Sequence, residues 1–420
     1  MIVDKSIIKK IIIQKQEEIL ATELIERNIE LELECNYVFV GLRRAGKSFL
    51  MFQHILSLIK SGENSIEDIL YINFEDERIS MIRAEELGDI IESYEELYDK
   101  RPIVFLDEIQ NVDGWEKFAR RLADSKYRVF VTGSNAQMLS RDIATSLGGR
   151  FIVKEVFPFS FEEYLQIKGI QLSKNWEYGS IKNSVVKLWG DYFRYGGFAE
   201  TFKLNDRRSW LNSLYQKILL GDIVARNGIR NGDAIRLLAK KMAESVMQPT
   251  TQTRLQNIVS SAGAKISRNT IVEYIGYMCD AYLVFGISNY TDNLNERETS
   301  QKRYYYDNGL LNIFLTDSDT KLLENIVAIT LLKRYGAENL FYYNKNVEVD
   351  FYIPIEGLAI QASYSIADNA TFERETRAFV KLNSAFEIKR SIIITSDEER
   401  EIEVDGVKIE VIPIWKWITK

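Results

Sequence analysis

The 420-residue sequence is poor in three residue types that often carry chemistry or constrain the chain. It has two cysteines, Cys35 and Cys279, and no CxxC pair, which excludes a disulfide framework and a structural zinc site. Its single histidine, His54, disfavours histidine-based catalysis. Only five prolines are present, which argues against long disordered linkers. We therefore expect folded domains whose chemistry depends on other side chains.

Long hydrophobic runs are also missing, because the longest ones have the length of a strand and not of a membrane span. The amino-terminal segment mixes lysine and glutamate with isoleucine, which is unlike a signal peptide. A composition of 46% hydrophobic and 27% charged residues is typical of a globular protein, and the length allows two or three domains. These features predict a cytoplasmic protein with no membrane partner.

The formal net charge of −7 does not by itself suggest a nucleic-acid partner, but the charge is distributed unevenly. Residues 217–268 carry a net charge of +6, which leaves −13 for the rest of the chain. A local basic patch in an acidic chain hints at a partner. Its basic residues are Lys217, Arg226, Arg230, Arg236, Lys240, Lys241, Arg254, Lys265 and Arg268.

The stretch at 41–48 reads GLRRAGKS and lies between an apolar run at 37–40 and another at 49–52. A glycine-containing loop between a strand and a helix is where a P-loop binds phosphates through backbone N–H groups. Lys47 would reach the β- and γ-phosphates of ATP, and the Ser48 hydroxyl would bind Mg²⁺. The residues expected to bind the nucleotide are Gly41, Leu42, Arg43, Arg44, Ala45, Gly46, Lys47 and Ser48.

Carboxylates and small polar residues follow two later strand-like runs. The run at 103–106 ends in Asp107 and Glu108, a Walker B pattern in which Asp107 would hold Mg²⁺ and Glu108 would act as general base. The run at 128–133 ends in Ser134 and Asn135, which would hydrogen-bond the γ-phosphate or the attacking water. The alternative is that Ser134 and Asn135 are ordinary turn residues.

Strands alternate with helical patterns over residues 36–160, which predicts a parallel α/β sheet. An amphipathic pattern of isoleucine and leucine over residues 6–28 precedes it and predicts a helix that packs against this domain. The predicted strands are 37–40, 69–74, 103–106, 129–131 and 151–156.

Residues 160–250 have helical apolar spacing, and the pattern after them is typical of a winged helix. Arg268, Asn269 and Thr270 would lead its recognition helix, after Ser267 as N-cap. Contact with DNA is one interpretation, and a lid or packing module is the other. The pattern comprises helices at 252–261 and 268–279, a turn at 262–266, extended runs at 282–290 and 303–306, and a polar loop at 291–302.

The sequence from residue 310 onward reads as α+β. Strands at 347–353 and 358–364 flank a turn at 354–357. A symmetric turn would place Asp350 opposite Gln361, and strand alternation places Glu348 on the same face as Asp350.

In combination these motifs resemble the AAA-type ATPases of bacteria and archaea that carry a carboxyl-terminal domain of unknown function with a restriction-endonuclease-like fold. The resemblance implies a P-loop sheet of the additional-strand type, in which the Walker A and Walker B strands are not neighbours. It also implies Arg150 as an arginine finger, acting in cis or from a neighbouring subunit of a homo-oligomer, or else as a residue that holds a domain boundary. The motifs are FLDEIQN, VTGSN, SLGGRF and PFSFEEY, followed by YFRYGGFAE, YYYDNGL, LLENIV, EVDFYI and TFERE.

The same resemblance implies a second metal site. Glu324, Asp350 and Gln361 match the metal-binding positions of nucleases with the PD-(D/E)xK motif. Ser363 stands where such nucleases have a lysine, and Lys345 is the nearby lysine that could replace it. We therefore expect a nuclease-like fold with weak or no cleavage.

These expectations combine into an α/β protein that hydrolyses ATP with Mg²⁺ and couples the nucleotide state to a partner, either a protein or DNA bound through residues 217–305. Two alternatives remain, a nucleotide-gated switch with little turnover and an ATP-assisted, metal-dependent DNA nuclease. The expected organisation is an amphipathic helix at 1–30, an AAA-type P-loop domain at 31–160, a helical and winged-helix domain at 161–307, and an α+β restriction-endonuclease-like domain at 308–420.

Overall fold

The computed structural model describes residues 4–32, 34–139, 145–264 and 266–419. These residues divide into two compact units. The first contains the chain up to Phe157 together with Asp280–Tyr282, and the second contains Pro158–Cys279 and the chain from Leu283 onward. Lys265, in the predicted basic segment and turn, lies outside the described residues.

Five strands of the described part of the first unit form a parallel sheet in the order β2-β3-β4-β1-β5. Strand β4 separates β1 from β3, which confirms the predicted additional-strand arrangement. Because all five strands run in the same direction, the segments that follow β1, β3 and β4 meet at one edge of the sheet. The strands are β1 (Asn36–Val40), β2 (Ile69–Asn73), β3 (Ile103–Asp107), β4 (Val129–Gly133) and β5 (Phe151–Glu155).

Helices cover this sheet, and strands β1 to β4 are accordingly near-continuous runs of buried apolar residues, whereas the edge strand β5 is partly or fully exposed along its length. Helix α2 begins directly at Lys47, after Gly46 has turned the chain with a φ of 96°. Its buried residues include Leu50, Met51 and Ile55. The helices are α1 (Lys5–Ala21), α2 (Lys47–Lys60), α3 (Gly88–Tyr98) and α4 (Trp115–Asp124).

The amino-terminal helix packs against this unit as expected, but it is shorter than predicted. Its buried isoleucines lie against α3 and β2. The helix ends at Ala21, because Thr22 has extended backbone angles and its hydroxyl donates to the Glu18 carbonyl. The segment beyond it follows α2 instead, with the Gln53 amide hydrogen-bonded to both the N–H and the C=O of Arg27.

The second unit begins with helices, as the apolar spacing over 160–250 predicts. The chain from α7 continues into a π-helical stretch at Ile218–Ala225. In the described part of the chain, no helix combines the length and the apolar character that crossing a membrane would require. The helices are α5 (Phe161–Ile167), α6 (Ile181–Tyr195), α7 (Arg207–Lys217), α8 (Gly232–Glu244), α9 (Gln252–Ser261), α10 (Arg268–Asp280), α11 (Leu294–Thr299), α12 (Asn308–Asn312), α13 (Asp319–Tyr335), α14 (Asn369–Asn383) and α15 (Ile414–Trp417).

Nine further strands among the described residues form a mixed sheet in the order β13-β14-β12-β11-β10-β9-β7-β8-β6. Strand β7 pairs antiparallel with β8 and parallel with β9, so the β7–β8 hairpin and the later strands belong to one sheet. The expected boundary between residues 307 and 308 falls in the chain between these strands. The strands are β6 (Thr250–Thr251), β7 (Val284–Asn289), β8 (Ser300–Tyr305), β9 (Phe341–Asn344), β10 (Glu348–Ile353), β11 (Leu358–Ala362), β12 (Arg390–Thr395), β13 (Arg400–Val404) and β14 (Val407–Pro413).

Two predicted helices, α9 and α10, precede this hairpin. The Ser267 hydroxyl accepts the Thr270 N–H at 3.1 Å, which confirms the predicted N-cap. The connection at 291–302, predicted to be a polar loop, instead contains α11 and the start of β8. Asn293 and Glu296 form a capping box there, a local signal sufficient to begin a short helix.

Candidate functional site

The P-loop follows β1 at the carboxyl edge of the first unit's sheet. Gly41 has a φ of 144°, and a Cβ atom there would lie 2.2 Å from the Val156 carbonyl oxygen, so the position requires glycine. The Lys47 ammonium is buried and donates to the carbonyl oxygens of Gly41 at 3.0 Å and Leu42 at 3.1 Å. The loop therefore curls around its own lysine.

Asp107 lies at the end of β3 and is fully buried. Its Oδ2 accepts the Ser48 hydroxyl at 2.8 Å, the Tyr71 hydroxyl at 2.6 Å and the Asn73 amide at 3.1 Å. Its Oδ1 accepts the Thr132 hydroxyl. Burial, together with the charge of Glu108, raises the pKa of Asp107, and the hydrogen bonds only partly offset this.

Glu108 adopts a left-handed backbone conformation with a φ of 52°, and its N–H donates to the Thr132 hydroxyl at 2.8 Å. Its Oε2 accepts Gln110 Nε2 at 2.6 Å and Ser134 Oγ at 3.1 Å, while its Oε1 lies 3.7 Å from Lys47 Nζ. Burial opposes ionisation, but the Lys47 charge and these hydrogen bonds outweigh it and hold the pKa of Glu108 below its usual range. The site thus holds an ionised carboxylate beside the phosphate-binding lysine.

The structure brings together Lys47, Ser48, Asp107, Glu108 and Ser134 of the predicted set. Asn135 directly follows Ser134 after β4, and Arg43 and Arg44 belong to the P-loop itself. Asn135 accepts the Gln137 N–H at 2.8 Å and so caps the turn after β4. Arg43 forms an ion pair with Glu75 at 2.9 Å, and Arg44 is exposed with a φ of 63°.

Arg150 is not brought to the P-loop. It precedes β5, and its carbonyl oxygen accepts the side chain of Asn36 at the amino end of β1. Its guanidinium forms an ion pair with Asp124 at the end of α4. The P-loop lies at the opposite end of β1, so the arrangement gives Arg150 no role in cis, and an action from a neighbouring subunit stays a prediction.

The sequence patterns assigned no role to four residues of the site. These are Tyr71, Asn73, Gln110 and Thr132. Asn73 and Thr132 lie at the carboxyl ends of buried strands, so their position was a usable signal. Tyr71 occupies a strand position two residues before Asn73 and therefore points to the same face. Gln110 follows the Walker B pair by two residues and lies within the FLDEIQN motif, so its position was a usable signal as well.

A second cluster of charged residues lies in the second unit. Lys302, on β8, has a fully buried side chain whose Nζ lies 2.9 Å from Glu348, 2.9 Å from Asp350 and 3.5 Å from Glu324. Burial, together with the charge of Asp350, raises the pKa of Glu324 to about 8, although Lys302 opposes the rise. The predicted partners Asp350 and Glu324 therefore do come together, around a lysine that the sequence did not single out.

The hairpin geometry agrees with the predicted facing of Asp350 and Gln361. The Asp350 N–H donates to Gln361 Oε1 at 2.8 Å, and the Ala362 N–H donates to Asp350 Oδ2 at 3.0 Å. Glu348 shares its face with Asp350, as expected, since both contact Lys302. Lys345, the lysine that the sequence suggested, is exposed, and Ser363 donates to the Ser365 carbonyl at 3.1 Å.

A cleft of about 1060 Å³ in the second unit is lined by Glu324, Glu348, Asp350 and Gln361. Glu373, Arg374 and Glu375 of α14 line it as well. Among the described residues, no group of three or more His, Cys, Asp or Glu side chains has an arrangement that could hold a metal ion.

Comparisons with known proteins agree with the geometry of the first unit. Residues 35–165 match a family model described as "AAA domain", and residues 186–322 match a domain of unknown function, DUF8612. The uncharacterized protein MJ1544 of Methanocaldococcus jannaschii is 34% identical over 435 residues, which cover 99% of this chain and 96% of that protein. The chain belongs to the MJ1544 family. Its amino-terminal unit therefore contains a nucleotide-binding AAA domain of the P-loop class.

The family has a further relative in Haemophilus influenzae, an uncharacterized protein that is 29% identical over 391 residues and covers 91% of this chain and 93% of its own length. Among solved structures, the Walker-type ATPase PABY2304 of Pyrococcus abyssi matches with 15% identity and a TM-score of 0.38, over 74% of this chain and 96% of that one. The Aeropyrum pernix ORC1 protein in complex with DNA matches with 14% identity and a TM-score of 0.29, over 79% of this chain and 95% of that one. Both superpositions are too weak to bear on function.

Proposed function

We propose that this protein binds ATP with Mg²⁺ at residues 41–48 and hydrolyses it. The observation that carries the proposal is the 2.8 Å hydrogen bond between Ser48 Oγ and Asp107 Oδ2. It joins the hydroxyl of the P-loop to the carboxylate of the Walker B strand, and these are the two groups that bind Mg²⁺ in P-loop proteins. The match of residues 35–165 to an AAA domain supports the same function.

The donor set fits Mg²⁺, which prefers hard oxygen ligands and needs few of them from the protein when it also binds phosphates. Ser48 and Asp107 would supply these oxygens. When bound, Mg²⁺ neutralises negative charge on the β- and γ-phosphate oxygens.

Each side chain of the site would then have a separate role in hydrolysis. The Lys47 ammonium exchanges the carbonyl oxygens of Gly41 and Leu42 for the β- and γ-phosphates, which are stronger acceptors. Glu108 is ionised at neutral pH because its pKa is held low, so its carboxylate can orient the attacking water and accept its proton. Ser134, bonded to Glu108, keeps that carboxylate at the edge of the site.

The decisive experiment compares steady-state ATPase rates of the wild-type protein with those of Glu108→Gln and Lys47→Ala. We expect Glu108→Gln to lower kcat about 100-fold or more while ATP binding persists, because the amide cannot accept the water proton. Lys47→Ala should abolish turnover by weakening phosphate binding. Glu85→Gln, at an exposed position of the same unit, is the matched control and should leave the rate unchanged. An unchanged rate in the Glu108→Gln protein would refute the role of Glu108.

For the second unit we propose a winged helix over residues 250–305, followed by a restriction-endonuclease-like domain in a protein that works in the cytoplasm. The sequence of α9, α10 and the β7–β8 hairpin supports the first assignment. The antiparallel β10–β11 hairpin, followed by the parallel strand β12, supports the second. A homo-oligomer, in which Arg150 would act on the nucleotide of a neighbouring subunit, stays a prediction.

The basic residues concentrated at 217–268 favour duplex DNA as the partner. Arg254 and Arg268 are exposed on α9 and α10, whereas Arg236 and Lys241 already pair with acidic neighbours. The ATPase assay repeated with duplex DNA over a salt series decides this. Stimulation that weakens steeply with salt supports phosphate contacts through residues 217–305, and DNA-independent turnover without binding removes DNA as a partner.

A further inference from the structure

We propose that the ammonium group of Lys302 occupies the cation position of the carboxylate cluster in the second unit, and that this cluster consequently binds no divalent metal ion. We define the cluster by the side chains of Lys302, Glu324, Glu348 and Asp350. The inference is independent of the proposed ATPase activity, because it concerns residues of the second unit alone.

The Lys302 ammonium is surrounded by three acidic side chains. Its nitrogen lies 2.9 Å from Glu348, 2.9 Å from Asp350 and 3.5 Å from Glu324, so a carboxylate oxygen is available for each of its three N–H groups. The side chain of Lys302 is completely buried. The buried ammonium thus has the carboxylates of Glu348 and Asp350 and the carboxyl group of Glu324 as partners, and it acts as a built-in counter-ion.

The predicted metal ligands already have partners within the protein. Glu324 Oε1 accepts the Tyr304 hydroxyl at 2.7 Å in addition to Lys302. Asp350 Oδ2 accepts the Ala362 N–H at 3.0 Å. Gln361 Oε1 accepts the Asp350 N–H at 2.8 Å, and its Nε2 donates to the Glu348 carbonyl at 3.0 Å. Each of these predicted ligands thus already has at least one polar partner within the protein, although the Glu348 side chain remains half-exposed.

Electrostatic repulsion also opposes the binding of a metal ion at this cluster. A divalent cation binds carboxylate oxygens at about 2.0–2.6 Å, and at this cluster such an ion would lie within a few ångströms of the buried ammonium. Repulsion between like charges is strong where water is excluded. The metal therefore competes with a cation that is covalently attached to β8 and cannot diffuse away. In the described part of the chain, no group of three or more His, Cys, Asp or Glu side chains has an arrangement that could hold a metal ion, which agrees with this competition.

In nucleases with the PD-(D/E)xK motif a lysine stands at the position of Ser363. Lys302 does not take over the role of that lysine. A lysine that helps to generate hydroxide must contact the water or the substrate. The Lys302 ammonium is fully buried and directed to three carboxylates, so it stabilises the fold around the cleft instead. The cluster then retains the shape of a metal site without its ion.

The test measures Mn²⁺ binding to the full-length, nucleotide-free protein by calorimetry and by thermal unfolding. Five of the six tryptophans, Trp176, Trp189, Trp210, Trp415 and Trp417, belong to the second unit, so tryptophan fluorescence follows its unfolding. The variants are Lys302→Met, Lys302→Met with Asp350→Asn, and Asp350→Asn alone. Lys345→Met is the matched control, since Lys345 is exposed and contacts none of the three carboxylates.

We expect Mn²⁺ to leave the Tm of the wild-type and Lys345→Met proteins unchanged. Lys302→Met should melt at a lower temperature in chelator, and Mn²⁺ should then raise its Tm by about 5 °C by binding the vacated position. The added Asp350→Asn change should abolish that rise. If Lys302→Met does not fold, the wild-type and Asp350→Asn proteins still decide the question.

Two results would overturn the proposal. One is stoichiometric Mn²⁺ binding by the wild-type protein that Asp350→Asn removes, with or without Mn²⁺-dependent cleavage of plasmid DNA. The other is a folded Lys302→Met protein that binds no Mn²⁺, since the ammonium would then not occupy a cation position.

Discussion

At the scale of single residues, the two carboxylates that follow β3 are neighbours in sequence but differ in environment. Asp107 accepts hydrogen bonds from four side chains and is completely buried, whereas Glu108 lies between Lys47, Gln110 and Ser134. Burial raises the pKa of Asp107, and the Lys47 charge helps to hold that of Glu108 low. The pair thereby separates into a buried ligand and an ionised base.

Gln110 gives this arrangement a direct test. Its amide donates to Glu108 Oε2 at 2.6 Å and so favours the ionised carboxylate. In Gln110→Leu we expect the pKa of Glu108 to rise, so that the acidic limb of the kcat/KM profile for ATP shifts to higher pH. Activity would then be lost at a pH where the wild-type enzyme still works.

The measurement is a pair of pH–rate profiles under identical Mg²⁺ and ATP concentrations. Protonation of the nucleotide is common to both proteins, so the difference between the profiles reports the enzyme. Gln166→Leu, at an exposed position of α5, serves as control. Coincident profiles for Gln110→Leu and wild type would show that this hydrogen bond does not set the pKa of Glu108.

Functional residues that lie within one contiguous sequence motif can be predicted from the sequence. Lys47, Ser48, Asp107 and Glu108 follow from such motifs. Lys302 does not, because it approaches the carboxylate cluster from β8, a strand that lies three places from β10 in the sheet. Such a contact depends on strand order, which local spacing does not contain.

At the scale of elements, three of the motifs that carry the family resemblance meet just after the end of α6. The Gly197 N–H donates to Asp307 Oδ2 at 2.8 Å, and its carbonyl accepts the Phe159 N–H at 2.8 Å. A Cβ atom on Gly197 would lie 2.2 Å from the Phe159 carbonyl oxygen. The glycine pair in YFRYGGFAE thus allows the backbone to approach both neighbours closely.

We therefore expect Gly197→Ala to destabilise the second unit by about 3 kcal/mol, because the added methyl group meets backbone that cannot move aside. Gly190→Ala is the matched control. Gly190 is exposed on α6 with open space around its Cβ position, and alanine there should stabilise the helix by about 0.5–1 kcal/mol. Denaturant unfolding followed by tryptophan fluorescence measures both. Equal midpoints for the two variants would contradict the packing described here.

The existence and type of these elements could be predicted more securely than their ends. The isoleucine spacing of α1 predicts a helix to residue 28, but the structure ends it at Ala21, where Thr22 has extended backbone angles and its hydroxyl donates to the Glu18 carbonyl. The polarity of 291–302 predicts a loop, and a capping box makes part of it a helix. In both cases a specific hydrogen bond outweighs the average pattern.

At the scale of the whole molecule, the second unit contains buried carboxyl groups with raised pKa values. Burial raises the pKa of Asp307 to about 6, although three backbone N–H groups oppose it. Burial and the Asp350 charge raise that of Glu324 to about 8. The single histidine of the chain, His54, belongs to the first unit, so no histidine titration in the second unit overlaps with these groups.

A carboxyl group with a higher pKa in the folded than in the unfolded state binds its proton more tightly when folded. Its contribution to stability is therefore present at low pH and is lost as the pH rises through the folded-state pKa. We expect the free energy of unfolding of the second unit to fall between pH 5 and pH 8, by on the order of 3 kcal/mol. Denaturant unfolding monitored by tryptophan fluorescence at several pH values tests this, and a stability that rises over the range would contradict it.

The pairing of β7 with β9 has a consequence for synthesis on the ribosome. Asn289 ends β7, and its partner strand begins at Phe341, about fifty residues later. At translation rates of about 5–20 residues per second, synthesis of the intervening residues takes several seconds, and during this time one edge of β7 is unpaired. An unpaired strand edge is an aggregation hazard, so the nascent chain is most vulnerable during this interval. Slow codons after residue 289 should lengthen that exposure, and a chain that stops at residue 307 would retain the open edge permanently.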